Sequence, residues 1–194
     1  MSPNKEVTKG IGKIYPGRAS SAPIIDLFIT LLSMGLDGYK GLLAKRKSLL
    51  DSFQTRFGEV AERHGGRILN CPRNTISFGI TLDTLSESPD EIGVDSVKES
   101  SLDTSYFGSM LFMRCVSGTR VVPRGQTKTM GKHSFEGFGS STDNYQHDYL
   151  TAACAIGGTE CDLDEFFSRL DKAFKDFKKK RKKKAAKTKK GGIH

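Results

Sequence analysis

Tyr15-Pro16-Gly17-Arg18-Ala19-Ser20-Ser21-Ala22-Pro23 stands directly before an apolar run, and its reading sets the organisation of what surrounds it. Pro16-Gly17 is a turn dipeptide, so the backbone bends there instead of continuing an element. Ser20 or Ser21 can cap a following helix, and Pro23 fits its first turn, where a missing N–H costs nothing. Ile24, Leu27, Phe28, Leu31 and Leu32 then recur on one helical face, and Gly35 ends the pattern. A small-residue loop feeding a helix N-terminus presents free N–H groups and the positive end of a dipole. Arg18 adds a planar fork matched to phosphate or carboxylate. These residues alone leave two readings open, an anion site and a capped helix carrying a solvent-exposed arginine.

Beyond Gly35, Asp37 can cap a longer helix that turns Tyr39, Leu42, Leu43, Leu49, Leu50, Phe53, Phe57 and Val60 toward a core and ends at Gly65-Gly66. Strands are predicted over 67–71 and 76–82, separated by the turn Pro72-Arg73-Asn74. Residues 83–105, rich in Ser, Asp and Glu, read as a surface insertion with a short helix near 91–98. The segments 110–116 and 119–122 read as two strands around Ser117-Gly118, or as one bulged strand. Residues 124–142 read as a long polar loop, and 148–156 as a short helix closed by Gly157-Gly158. A last helix is expected from Asp162, where Asp162-Leu163-Asp164-Glu165 has the shape of a capping box, with Phe166, Leu170, Phe174 and Phe177 as its inner face. Helices packed on a small, mostly antiparallel sheet make this an α/β chain of the α+β kind. Three parts are expected: a helical segment over 1–65, a small domain over 66–177, and a basic disordered tail over 178–194.

With 194 residues, 36% of them hydrophobic and 12 of them phenylalanine, the chain can bury a core. No apolar run near membrane-spanning length is read, so no membrane is expected among the partners. Met1-Ser2-Pro3-Asn4-Lys5-Glu6 has no apolar region, which argues against secretion. Cys71, Cys115, Cys154 and Cys161 form no C-x-x-C pair, and His64, His133, His147 and His194 stand apart, so a zinc site has no support. Reduced thiols in cytosol or nucleus follow, with Cys115 expected in the core. Ten basic and no acidic residues lie in 178–190, leaving 21 basic against 22 acidic elsewhere, so the net charge of +9 belongs to one run. Such an arm suits salt-sensitive binding to a polyanion; a solvated tail and a nuclear-import-like tract fit the charge equally.

The wording of the chain is itself informative. Lys13-Ile14-Tyr15-Pro16-Gly17-Arg18-Ala19-Ser20 resembles a segment of the O-phosphoseryl-tRNA(Sec) selenium transferases, the archaeal and eukaryotic selenocysteine synthases. The likeness continues through Ile29-Thr30-Leu31-Leu32-Ser33-Met34-Gly35, Gly38-Tyr39-Lys40 and the run from Gly108-Ser109-Met110-Leu111 to Arg120-Val121-Val122-Pro123. It resumes at Phe135-Glu136-Gly137-Phe138, Asn144-Tyr145, Tyr149-Leu150-Thr151-Ala152-Ala153 and Phe166-Phe167-Ser168-Arg169-Leu170-Asp171. The resemblance implies the C-terminal part of a fold-type-I pyridoxal-phosphate transferase. Members of that family convert O-phosphoseryl-tRNA(Sec) to selenocysteinyl-tRNA(Sec), with selenophosphate as selenium donor and pyridoxal 5'-phosphate as electron sink. It further implies a cytoplasmic homo-oligomer, a tetramer in the family.

Residue by residue, the resemblance places Arg18 on the phosphate of the phosphoseryl substrate, Arg114 on the discriminator base of the tRNA acceptor end, and Lys179 on the acceptor arm, with Lys178 or Lys180 as alternatives to the last. Taken without the resemblance, Arg114 reads as an arginine at a strand end, snorkelling over Phe112 or pairing with an acidic neighbour. The family's Schiff-base lysine lies upstream of the Tyr15–Arg18 motif, outside these residues, and the cofactor contacts go with it. The chain is therefore expected to be a fragment, a truncated gene model or a shortened paralogue, inactive by itself. A non-catalytic tRNA-binding or subunit-association module is the alternative. No Ser/His/Asp set is visible, and no G-x-x-x-x-G-K-[ST] loop is present. In a full-length enzyme, Arg18→Ala is expected to abolish phosphoserine turnover more severely than Arg18→Lys, because only a cation keeps the charge against a dianion; equal turnover by wild type and both variants would remove Arg18 from the site.

Overall fold

Two helices studded with phenylalanine close over a three-stranded antiparallel sheet. The computed structural model describes residues 3–14, 20–86, 104–140, 142 and 144–191. Among these, α1 spans Lys5–Ile14, α2 Ala22–Arg63, β1 Ser77–Thr81, α3 Ser105–Phe112, β2 Arg120–Val122, β3 Lys128–Met130, β4 His133–Phe135, β5 Tyr149–Ala153 and α4 Glu160–Gly191. The sheet order is β1-β5-β2, with Phe78 opposite Ala152, Ile80 opposite Leu150, and Val121 opposite Leu150 from the other side. β3 and β4 form a separate hairpin. The chain divides into two units, residues 1–42 and 43–194.

In the first unit, Asn4 Oδ1 accepts the Glu6 amide at 2.9 Å and so caps α1. The start of α2 is as expected: Ser20 Oγ accepts the Ala22 amide at 3.2 Å, and the Ser21 carbonyl accepts those of Ile24 and Ile25. Gly35 is the expected interruption, with φ 64 and ψ 177 inside α2, a combination only glycine adopts without strain. The helix resumes directly, without a separate cap at Asp37. The apolar face formed by Ile24, Leu27, Phe28, Leu31 and Leu32 is exposed in this chain. α2 also holds an 18-residue window of mean hydropathy 1.3, none of it buried. By length and composition alone, one helix therefore reaches membrane-spanning size, which corrects the expectation that no apolar run does.

The second unit holds the core. From α2 come Leu49, Phe53, Phe57, Val60 and Ala61, the spacing of one helical face. From α4 come Leu163, Phe167, Leu170, Ala173, Phe174 and Phe177, and from α3 Phe107, Met110 and Leu111. Phe78, Ile80, Leu150 and Ala152 supply the sheet's inner face. Phe53 is the hub, with ring centroids 5.6 Å from Phe57, 5.9 Å from Phe78 and 5.6 Å from Phe167. Phe174 bridges to α3, 4.6 Å from Phe107. Gly66 is required because a Cβ there would stand 2.6 Å from the Thr81 carbonyl oxygen, where the chain leaving α2 returns along β1.

Several expectations are corrected here. The segment 110–116 is helix and turn, not strand: α3 runs to Phe112, and a short buried apolar run has the same pattern in either state. Residues 148–156 are not a helix. Tyr149–Ala153 is the central strand, with Leu150 and Ala152 buried and Tyr149 and Thr151 half-buried, a period of two. The 67–71 strand reduces to a single bridge, Ile68 to Ile80, and the 124–142 loop contains the β3–β4 hairpin. The capping box lies one turn early, at Thr159 and Asp162, where the Asp162 amide donates to Thr159 Oγ1 at 3.2 Å and Asp162 Oδ2 accepts the Thr159 amide at 2.9 Å. Cys115 is exposed, not in the core. The boundary expected at 65/66 falls at 42/43, because the second part of α2 packs into the core. α4 continues as helix to Gly191, through the segment expected to be a disordered tail. The helix near 91–98 lies outside the described residues.

Phe57, fully buried among Phe53, Phe166 and Phe167, carries this core. Phe57→Ala is expected to destabilise the second unit by about 3–5 kcal/mol, read from urea unfolding followed by circular dichroism.

Candidate nucleic-acid interface

The end of α3 fixes Arg114. The Cys115 amide donates to the Phe112 carbonyl at 2.9 Å, and the Val116 amide reaches back to Leu111 at 3.0 Å. Cys115 is left-handed at φ 58. This is a Schellman end with Arg114 as the C-cap, closed by the buried pair Leu111 and Val116. Arg114 Nη1 donates to the Met110 carbonyl at 2.9 Å, satisfying an acceptor the helix end leaves open. Its Nη2 donates to Asp176 Oδ2 of α4 at 2.6 Å. The side chain is one-quarter exposed, so the guanidinium is held on two sides and open on another. Of the readings made without the resemblance, pairing with an acidic neighbour is the one the geometry matches.

α4 divides its faces sharply. Its inner face is the apolar row ending at Phe177. Past that point, basic residues take over the docking: Lys178 Nζ donates to the His64 carbonyl at 2.9 Å, Lys180 Nζ to the Tyr106 hydroxyl at 3.0 Å, and Arg181 Nη1 to the Thr84 carbonyl at 3.2 Å. Lys172, Lys179, Lys182 and Lys183 are exposed. Lys179 lies three residues after Asp176, hence one turn along the same side of the helix. Arg114 thus pairs with α4 at Asp176, and Lys179 follows one turn further along that helix. Arg18 lies outside the described residues.

Two further polar groupings were not foreseen. Asp148 is buried; its Oδ2 accepts the Thr104 hydroxyl at 2.7 Å and its Oδ1 the Arg124 amide at 2.7 Å, tying the start of α3 to the loop after β2. His147 pairs with Asp83 instead of its neighbour, Nδ1 to Oδ2 at 2.7 Å, while Arg67 donates to its Nε2 at 3.1 Å. Arg67 can only donate, so Nε2 is the acceptor in this arrangement and Nδ1 the nitrogen that faces Asp83. No signal in the sequence joins partners more than sixty positions apart. Arg67 and His147 line an open cavity of about 480 Å³ with Asn70, Asn144 and Tyr145. An apolar cavity of about 320 Å³ lies among Leu49, Phe53, Ala152, Leu163 and Phe166. Neither cavity, nor a third along 70–76, is lined by a lysine. These three cavities therefore lack the amine that would anchor pyridoxal phosphate. Among them no cluster of three metal-ligating side chains occurs.

Where α2 meets α4, Asp171 accepts from Arg63 at 3.1 Å, from His64 Nε2 at 2.9 Å and from Lys175 at 2.5 Å. Burial alone would push this carboxyl up, but the three hydrogen bonds outweigh it and hold it down at about 2. For His64, burial wins over the Asp171 hydrogen bond and lowers the imidazole from its usual range. His64 is thus a neutral donor, stacked 4.4 Å from Phe174.

An α+β domain whose closing helix turns a lysine face outward beside a fixed arginine is the class that fold and site define. The sequence signature of the family described as O-phosphoseryl-tRNA(Sec) selenium transferase, SepSecS, matches residues 1–175. The chain belongs to that family. The match stops before Lys179. The chain is similar to the transferase of Dictyostelium discoideum, 42% identical over 176 residues, covering 89% of this chain and 37% of the relative. It is also similar to that of Caenorhabditis elegans, 33% identical, covering 87% of this chain and 32% of the relative. The crystal structure of an archaeal O-phosphoseryl-tRNA(Sec) selenium transferase shares its fold, with TM-score 0.59 and 24% identity over 88% of this chain and 33% of that one. The chain spans about a third of the length of these relatives.

The Asp171 cluster sets the acid response. The Asp171 carboxyl is lower in the folded chain than its usual 3.8, so its stabilisation is present above about pH 4 and lost as pH falls through about 2. His64 is lowered from 6.5, so the unfolded chain takes that proton first and stability also falls below pH 6.5. Urea midpoints measured from pH 8 to 2 should decline in both windows. His64→Gln should flatten the upper one and Asp171→Asn the lower one.

Proposed function

We propose that this chain is the tRNA-facing C-terminal part of an enzyme that converts O-phosphoseryl-tRNA(Sec) to selenocysteinyl-tRNA(Sec). Family membership supports the reaction, and one observation supports the division of labour. Asp176 brings the Arg114 fork and the exposed lysines of α4 onto one surface. Lysines spaced along a helix neutralise successive phosphates and carry no sequence information, whereas a fixed arginine can read a base edge. From Lys172 to Lys183 the helix rises ~16 Å, long enough to follow an RNA backbone. In this reading Arg114 contacts the discriminator base, Lys179 contacts the acceptor arm with its neighbours, and Arg18 holds the substrate phosphate.

Selenophosphate as donor and a cytoplasmic setting belong to the same proposal. So does pyridoxal 5'-phosphate, which would supply the electron sink from parts of the enzyme other than the residues described here. A second reading, association of subunits in a homotetramer, has its own support. The exposed Ile24, Leu27, Phe28 and Leu32 of α2 offer an apolar face to another protein surface.

The test is fluorescence anisotropy with a labelled acceptor-arm hairpin carrying a 3′-terminal overhang. Lys179→Ala/Lys182→Ala/Lys183→Ala is expected to weaken binding to all sequences and reduce the slope of log K against log salt by roughly 2–3. Arg114→Ala is expected to cost about 1–3 kcal/mol of preference for guanine at the discriminator position. An unchanged slope in the first, or an unchanged preference in the second, would count against the corresponding contact.

A further inference from the structure

Asp176 is the only acidic residue between Lys172 and Gly191. A carboxylate within a surface built to attract a polyanion opposes that attraction, so its presence calls for another role. It is 38% exposed and pairs with an Arg114 that is 25% exposed, and pairs so open to solvent contribute little to stability. Nor does Asp176 pack the core: its neighbours Phe174 and Phe177 do that. What it does is geometric. Arg114 has five N–H donors in one plane. Among the described residues, the Met110 carbonyl takes one from Nη1 and Asp176 takes one from Nη2. Two fixed bonds from different elements, the end of α3 and the middle of α4, set both the direction and the plane of the guanidinium and leave three donors over.

We infer that Asp176 is a positioning residue that sets the plane of the Arg114 fork for reading a guanine edge, and so determines the selectivity of acceptor-end binding without touching the RNA. The inference rests on the reading of Arg114 as the base-contacting residue. Bidentate recognition needs the fork coplanar with the base, and an arginine free to rotate still offers its charge to phosphates but loses the base-specific pairing. Removing Asp176 should therefore separate two quantities that usually fall together. Selectivity drops while overall RNA affinity stays level or rises, because a negative charge has left a basic surface.

The experiment measures Kd for two labelled acceptor-arm hairpins, differing only in guanine or adenine at the discriminator position, with the full 194-residue chain. The variants are Asp176→Ala, Asp176→Asn, Asp176→Glu, Arg114→Ala and the Arg114→Ala/Asp176→Ala double variant. Asp176→Ala is expected to reduce the guanine-over-adenine ratio at least fivefold, with no loss of affinity for the adenine hairpin. Asp176→Glu should restore part of the ratio. The double variant should lose no more selectivity than Arg114→Ala, the mark of two residues acting as one unit. If Arg114→Ala loses the preference and Asp176→Ala keeps it, positioning is wrong and the base contact stands. If the wild type has no preference, both are wrong. A rise in both affinity and selectivity in Asp176→Ala would mean that the carboxylate masks Arg114, which also overturns the inference. Should Asp176→Ala lose its helical circular dichroism, Asp176→Leu replaces it, keeping bulk without an acceptor oxygen, and an unchanged ratio in that variant would overturn the inference as well; Asp176→Asn, which keeps an acceptor for the Arg114 N–H, should retain part of the ratio.

Discussion

The aromatic contact between α2 and α4 is the constraint on which the rest of the structure depends. Leu163, Phe167, Leu170, Phe174 and Phe177 recur at steps of four and three, so they form one narrow stripe along α4. Phe53 and Phe57 of α2 meet that stripe, and burial of each such ring stabilises by roughly 2–3 kcal/mol. A stripe this narrow leaves the helix no freedom to rotate about its axis. It thereby dictates which residues face solvent, and Asp176 and Lys179 reach the surface because Phe174 and Phe177 do not.

The polar contacts position what the apolar core has oriented. Arg114 occupies the C-cap of a Schellman end whose left-handed residue is Cys115 rather than the usual glycine. The strain accepted there turns the chain abruptly out of α3 and brings the arginine back over its own last turn, within reach of α4. Asp148 acts in the same way at the other end of α3, bonding Thr104 and the Arg124 amide so that helix and loop share one buried carboxylate. Such groups are costly to bury and are tolerated because each oxygen finds a donor; among the described residues no buried side-chain polar atom lacks a hydrogen-bond partner.

The basic segment shows how tertiary contacts change the meaning of charge. A run of like charges repels itself and resists helix formation. Here its first residues are tethered by carbonyls and a ring: Lys178 to His64, Lys180 to Tyr106, Arg181 to Thr84 and Ser86. The helix reaches well past its last phenylalanine as a result, with Lys179, Lys182 and Lys183 exposed along it. A lysine face on a rigid element fits phosphates at set intervals, which a loose tail with the same composition does not.

Much of the architecture was legible in the sequence. The inner face of α4 and that of α2 from Leu49 onward, the start of α2 after Ser20, the interruption at Gly35 and the α+β class all follow from local rules: apolar spacing, caps and the conformational range of glycine. Tyr39, expected on the inner face of α2, is exposed because the buried stripe begins only at Leu49. The order of words in Lys13–Ser20 and Gly108–Pro123, with the shorter blocks between and after them, was enough to indicate the family. Where the reading failed, it did so because two states share one local pattern. The buried run 110–116 fits strand or helix, and Tyr149–Ala153 becomes a strand because β1 and β2 lie on either side to take up its hydrogen bonds. The meeting of Arg114 with Asp176, of His147 with Asp83 and of His64 with Asp171 was decided by tertiary structure alone. A side chain's partner across the core depends on how far each helix is turned by its packing, a property of the whole assembly that no stretch of the chain contains.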